Sequence, residues 1–439
     1  MSRSTSAAAD PAATPRFFGR RVVHAAFVLA MCGWGLGFYG PPVYLHAVIE
    51  RTGWSLGWVS SAVTLHYLFG ALVVAQLPRL HARFGVGATA CTGAVVTTLG
   101  VLGWALCERP WQLMAAALLS GGGWVTMGAV AVNAVIAPWF VRTRPAALAT
   151  AYNGASIGGV VFSPLWVALI AALGFAPAAL LVGALTVGMV GWLAATVFRI
   201  TPERLGQQPD GSAAARTAQT AGAAVAAPLP GRALWRDRRF QTLAAGMAIG
   251  LFAQIGLLAH LFTLLVPEFG AQAAGWAMGL ATGCAIVGRW VVVRAMPAHA
   301  SRRTVAAIGY GVQLLGTLAL CLAGPQQPWL IWLAIVLFGC NIGNATSLPP
   351  LIAQVEFVKE DVGRVVALNL AIGQATYAFA PAAFGLIREF APHAPNAGSA
   401  PWFFGAAAVV QALAIGMFLL GRVRPRTRSA HSLGSRAAP

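Results

Sequence analysis

One arginine stands inside an apolar run. Arg289 occupies the stretch Gly283-Cys284-Ala285-Ile286-Val287-Gly288-Arg289-Trp290. A guanidinium is always charged, and its planar fork matches a carboxylate in two parallel hydrogen bonds. In a run over 272–296 the residue lies about five positions past the centre, roughly 7 Å at 1.5 Å per residue. An arginine at the centre of a membrane span costs about 2.5–3.5 kcal/mol on insertion scales. Two readings are open. The side chain can snorkel to the nearer boundary, or it can face an internal cavity and wait for an anionic solute.

The eleven acids decide what else could neutralise that charge. Asp10, Glu203, Asp210, Asp237, Glu356, Glu360 and Asp361 fall in segments on one side of the apolar runs. Glu50, Glu108, Glu268 and Glu389 fall at the opposite ends, and none lies at mid-run. A carboxylate proton relay within a membrane therefore has no evident residue. His66 lies near the middle of the second run. It can titrate and carry a coupling proton, or stay neutral and hydrogen-bonded to a neighbouring helix. His260 lies nearer a run's end, where a structural role is expected.

Uncharged polar residues recur at similar depth: Tyr39, Tyr152, Asn153, Gln254, Asn341, Asn344, Gln374 and Tyr377. Singly, each is ordinary glue between helices; as a set they are a plausible solute site. Six cysteines lie in or beside apolar runs without CxxC spacing and read as packing residues, so no metal or other cofactor is expected. No HExxH or phosphate-binding glycine loop occurs. The chain is not expected to be an enzyme.

The elements that must position these residues follow from composition. Of 439 residues 58% are hydrophobic and 9% charged, against about 25% charged in soluble proteins. A bilayer is the solvent that suits such a chain. Twelve runs approach the length of about 20 residues that a span needs: 22–48, 56–78, 85–106, 111–139, 145–172, 176–198, 240–266, 272–296, 303–324, 328–353, 364–388 and 401–421. The first is too long for a cleaved signal peptide. Residues 1–20 read as a disordered tail, 200–237 as a flexible linker rich in Ala, Gly, Pro and Gln, and 426–439 as a second tail. The pattern predicts an all-α membrane protein with two six-helix bundles, 21–199 and 238–425, the layout of a transporter built from two repeats. GxxxG pairs at Gly154/Gly158, Gly246/Gly250, Gly279/Gly283 and Gly339/Gly343 provide for close helix contact.

Charge gives the orientation. The net charge of +18 does not form one patch, which argues against a nucleic-acid partner. With both termini in the cytosol, 25 of the 29 basic residues fall in cytosolic segments, as the positive-inside rule requires. Arg51, Arg109 and Arg388 fall outside, and Arg289 stays within the membrane.

At the start of the fifth run the residues read Trp139-Phe140-Val141-Arg142-Thr143-Arg144-Pro145-Ala146-Ala147-Leu148-Ala149-Thr150-Ala151-Tyr152-Asn153-Gly154-Ala155-Ser156-Ile157-Gly158-Gly159. This resembles the WFxxRRxxAxGxAxAGxxxGG stretch of the monocarboxylate-porter and oxalate/formate-antiporter branch of the major facilitator superfamily. Gly53-Trp54-Ser55 before the second run is also typical of that branch. The loop after the second run, Pro78-Arg79-Leu80-His81-Ala82-Arg83-Phe84-Gly85, matches the superfamily's GRLxDRxG at Arg79, Arg83 and Gly85. Pro78 and Ala82 replace its Gly and its Asp, an acid taken to latch the cytosolic face. The resemblance implies the twelve-helix fold and alternating access. It implies gating roles for Arg79, Arg83, Arg142 and Arg144, and a carboxylate-binding role for Arg289, which matches the eighth-helix arginine of those porters. Lysines that some family members use in helices one and eleven are absent; the chain's single lysine is Lys359.

The expectation is a monomeric secondary transporter in a bacterial-type inner membrane, surrounded by lipid. It moves a small organic anion, a monocarboxylate first, by proton symport or anion exchange. Substrate contacts are expected from Arg289, Tyr39, Tyr152, Asn153, Gln254, Asn344, Gln374 and Tyr377, with His66 as the candidate for proton coupling. The alternatives are an exporter of neutral or hydrophobic compounds, and a sensor on a transport fold.

Overall fold

The computed structural model describes residues 17–211, 231–297, 300–323, 327–392 and 400–422. Residues 1–16 of the tail expected over 1–20, residues 212–230 of the linker, and the whole tail expected over 426–439 lie outside the described residues. The described chain is helical and carries no strand. Its membrane-spanning helices are α1 Gly19–Thr52, α2 Leu56–Phe84, α3 Val86–Leu106, α4 Pro110–Ile136, α5 Arg144–Leu173 and α6 Phe175–Phe198. There follow a single helical stretch Arg238–Ala295, then α9 Arg302–Leu322, α10 Pro328–Glu356, α11 Lys359–Phe390 and α12 Ala400–Leu420.

The stretch Arg238–Ala295 has 58 residues, about 87 Å at 1.5 Å per residue and far longer than a bilayer is thick. It is two spans. Gly270 takes φ 77° and ψ 163° inside it, a left-handed conformation open to glycine and strained for other residues. We number the halves α7 (238–269) and α8 (271–295), so that twelve helices form two six-helix bundles, as the hydropathy predicts. The same device joins α2 to α3 at Gly85 (φ 80°) and α5 to α6 at Gly174 (φ 85°). A single residue reverses the chain at each of these turns.

Helix interruptions set the depth of key side chains. α1 breaks at Phe38–Gly40, ahead of Pro41 and Pro42, which have no N–H to continue the ladder. The Tyr39 N–H bonds back to the Trp34 carbonyl at 2.9 Å. α10 is interrupted at Gly343, between Pro328–Ile342 and Asn344–Glu356. Within bundles, glycines bring backbones together. A side chain at Gly154 would collide with the Phe27 carbonyl of α1, and one at Gly288 with the Cys340 carbonyl of α10. In lipid, where no hydrophobic force pulls helices together, such close approach holds the bundle.

Among the described residues, three hydrogen bonds tie one bundle to the other. The Gly57 N–H at the start of α2 donates to Glu389 Oε2 near the end of α11 at 2.5 Å. The Ala382 N–H on α11 donates to the Thr64 hydroxyl on α2 at 3.0 Å. Arg289 on α8 donates to Ser156 on α5 at 2.7 Å. The first two lie at the end of the molecule away from the termini, where His46 of α1 also packs edge-on against Phe262 of α7 at 5.2 Å.

At the end that carries residues 17 and 422, the linker and the start of α9 are fastened. Residues 203–211 of the linker make two short helical turns, and Asp210, at φ 58°, docks against the α4–α5 loop. Its carboxylate accepts the N–H groups of Val141, Arg142 and Thr143 at 2.7–3.1 Å and the Thr143 hydroxyl at 2.6 Å. Slight burial works against the charge, but these four donors outweigh it and hold the Asp210 carboxyl down to about 2. Arg303, the first residue of the ninth apolar run, is 1% exposed. It pairs with Glu356 at 2.6 Å and reaches the Thr242 hydroxyl at 3.0 Å, locking the ends of α7, α9 and α10 together.

Candidate functional site

Arg289 sits six residues before the end of α8, half-buried. Its Nη2 donates to Ser156 Oγ at 2.7 Å. Its Nε is buried with no hydrogen-bond partner among the described residues. The stem packs on α10 at Gly343, where a side chain would meet Arg289 Nε and Cδ. Tyr39, 5% exposed at the α1 break, is close enough to interact electrostatically with the guanidinium. The ion pairs among the described residues are His46–Glu50, Arg239–Asp237 and Arg303–Glu356. Arg289 thus has a neutral hydroxyl where a fixed cation in low dielectric would ordinarily have a carboxylate.

Four helices build this place: α1 through its break, α5 through Ser156, α8 through Arg289, and α10 through the glycine that leaves room for the arginine stem. Ser156 escaped the sequence reading. The signal was available, since Ser156 follows Tyr152 by four residues and shares its helix face. Tyr67 on α2 was also missed. Its ring meets Tyr377 of α11 edge-on at 5.8 Å, and its hydroxyl donates to the Phe38 carbonyl at 3.3 Å.

The remaining expected residues are distributed. Asn153 and Gln374 are half-buried and carry no hydrogen bond to a described residue. Tyr152 turns to α4, where Asn133 donates to its hydroxyl and that hydroxyl donates to the Ala129 carbonyl. Asn344 donates to Cys340 O in its own helix at 3.2 Å. Gln254 is 2% exposed and lies inside the second bundle. There Gln313 donates to Gln254 Oε1 at 3.1 Å, and Asn341 donates to Gln313 Oε1 at 3.4 Å. Gln313, unmarked in the sequence reading, is the middle of that ladder.

His66 is 1% exposed. Its Nε2 donates to the Gly37 carbonyl at 2.8 Å, and its Nδ1 lies 2.9 Å from the Ser120 hydroxyl. The ring stacks on Trp124 at 6.0 Å with 7° between planes. A neutral imidazole satisfies every one of these contacts. His260 likewise bonds the Pro381 carbonyl at 2.9 Å.

The arginines expected to gate lie at the termini-bearing end. Arg79 donates to Gln76 at 2.8 Å, and Arg83 covers the Phe84 ring at 5.1 Å. Arg142 gives its N–H to Asp210, and Arg144 opens α5. Among the described residues there is no group of three or more His, Cys, Asp or Glu placed to hold a metal.

Known proteins match this architecture. The nucleoside transporter NupG superimposes with a TM-score of 0.69 at 12% identity, covering 92% of this chain and 98% of that one. Its D323A mutant gives 0.67 at 13% identity, covering 92% and 99%. A bacterial homologue of the human lysosomal transporter Spinster, in an inward-facing and occupied conformation, gives 0.66 at 13% identity, covering 93% and 97%. At such identities the likeness is one of fold. No curated protein gives a significant sequence match. The family model for the Major Facilitator Superfamily matches residues 22–381. The chain belongs to the major facilitator superfamily and is a membrane transporter, not an enzyme.

Proposed function

We propose that this transporter carries a small organic monoanion, a monocarboxylate first, and that Arg289 binds its carboxylate. One observation carries the reading. The guanidinium holds only a neutral hydroxyl, across the boundary between the bundles, and no acid among the described residues pairs with it. An anion supplies the missing charge and accepts the donors left over. With Arg289 as the cation at this point of the boundary, charge balance favours a monoanion over a dianion. Tyr39 lies beside the guanidinium to direct the solute, and half-buried Asn153 and Gln374 stand without partners to receive its polar atoms.

The Arg289–Ser156 bond also supports a mechanism. It links α8 to α5, one helix from each bundle, so an anion that takes the guanidinium from Ser156 changes a contact that the bundles share. Alternating access then follows as rocking of the bundles about the bound solute. The arginine distribution supports cytosolic termini in a bacterial-type inner membrane, and the ties Gly57–Glu389 and Ala382–Thr64 support a conformation closed at the periplasmic end. Arg79, Arg83, Arg142 and Arg144 lie at the α2–α3 and α4–α5 turns of the first bundle, which suits a role in closing that end.

Proteoliposomes with the purified protein test the substrate class. A panel of labelled small monocarboxylates should yield at least one that accumulates, while its uncharged amide does not. Transport of the amide at the same rate would contradict an anion site and favour an exporter of neutral compounds.

A further inference from the structure

A second site lies away from Arg289. A cleft of about 440 Å³ opens between the first turns of α1 and α5, with Val23, Phe140 and Ala147 in its apolar wall and Arg20, His24 and Thr150 along it. Arg20 and His24 are exposed and have no hydrogen bond or ion pair among the described residues. The two neighbouring hydroxyls are engaged: Thr143 donates to Asp210 and Thr150 to the Ala146 carbonyl. The cleft therefore offers one permanent cation and one imidazole without a partner among the described residues.

The helix faces show where the cleft opens. On α5, Thr150, Val161 and Ala168 are exposed and fall on one line down the helix, with Leu165 beside them. The face of α5 that meets the other bundle is a different one, carrying Ser156, Gly159 and Val160 against α8. An exposed apolar stripe on a membrane helix faces acyl chains. Arg20 is the second residue of α1 and shares the cleft with Thr150, the first residue of that stripe.

We propose that this cleft binds an anionic phospholipid, its phosphodiester on Arg20 and His24 and an acyl chain along Val161 and Leu165. Charge in the cleft and exposed apolar residues further down the same helix fit an amphiphile and not a free phosphate, for which those residues have no use. Basic pockets between membrane helices recognise headgroups by this combination. The site is independent of the substrate reading.

Native mass spectrometry of the detergent-purified protein tests it, with phosphatidylglycerol and phosphatidylcholine as probes. Wild type should retain one phosphatidylglycerol through activation that strips the others, and bind phosphatidylcholine about tenfold more weakly. The double variant Arg20→Gln/His24→Gln, in which both exposed residues remain polar, should lose that phosphatidylglycerol about tenfold. Arg79→Gln/Arg83→Gln, with two other basic residues of the same end removed, should keep it. Equal retention in the Arg20/His24 variant, equal affinity for the two lipids, or displacement of the lipid by millimolar glycerol 3-phosphate would each overturn the assignment.

Discussion

The Arg289 guanidinium and the Ser156 hydroxyl stand 2.7 Å apart across the boundary between the two bundles. A charge-assisted hydrogen bond is worth roughly 1.5–3 kcal/mol when made. Here it gives a half-buried cation a neutral partner, which on the proposed function an anion would replace.

Ser156→Ala should therefore tighten anion binding. The substitution removes the competitor and leaves the guanidinium without its placeholder. A lowering of Kd of roughly threefold to tenfold, less than the full bond energy because a hydrated site screens it, is expected. Isothermal titration on purified protein measures it. A weaker Kd would instead make Ser156 a ligand of the solute.

His66→Gln should leave the pH profile of uptake where it is. Both imidazole nitrogens are occupied, by Gly37 and Ser120, in a site 1% exposed. Gln can remake only part of that geometry, so the rate should fall while the pH midpoint stays. A midpoint that moves, with solute exchange retained, would assign the coupling proton to His66.

Asp210→Ala should release the strap over the α4–α5 loop. In hydrogen exchange the amides of Val141, Arg142 and Thr143, which donate to Asp210 in the wild type, should exchange at least fivefold faster. The folded-state pKa of Asp210 lies below its ordinary value, so the carboxylate adds protection at neutral pH. That protection is lost as the pH falls from about 4 toward about 2. Unchanged exchange in the variant would show that the turns at 203–211 hold themselves.

Much of this molecule was legible in its residues, and for physical reasons. Span length and the scarcity of charge depend only on the bilayer, so twelve helices could be counted from hydropathy. Gly85, Gly174 and Gly270 mark one-residue reversals that a plain run of apolar residues conceals, and the α7–α8 boundary rests on one of them. Arg289 stood out because a charge in an apolar run must be explained. Ser156 did not, because a serine at a helix interface is common and its importance comes only from the residue opposite, 133 positions along the chain. Gln254 points the other way. It resembled a cavity residue, and only the position of Gln313 on α9 shows the ladder that occupies it. Asp210 looked like linker because its partners are backbone N–H groups, which no sequence pattern displays.

The most direct measurement is the affinity of purified Arg289→Gln protein for a monocarboxylate that the wild type transports, with Arg289→Lys beside it. Gln keeps polarity and bulk but neither the charge nor the fork, and Lys keeps the charge without the fork. Arg289→Gln should lose binding by at least 100-fold, about 2.7 kcal/mol, while still inserting and eluting as a folded protein. Arg289→Lys should be weakened by about tenfold or more. Binding by Arg289→Gln with wild-type affinity would contradict the account and return Arg289 to a structural cation.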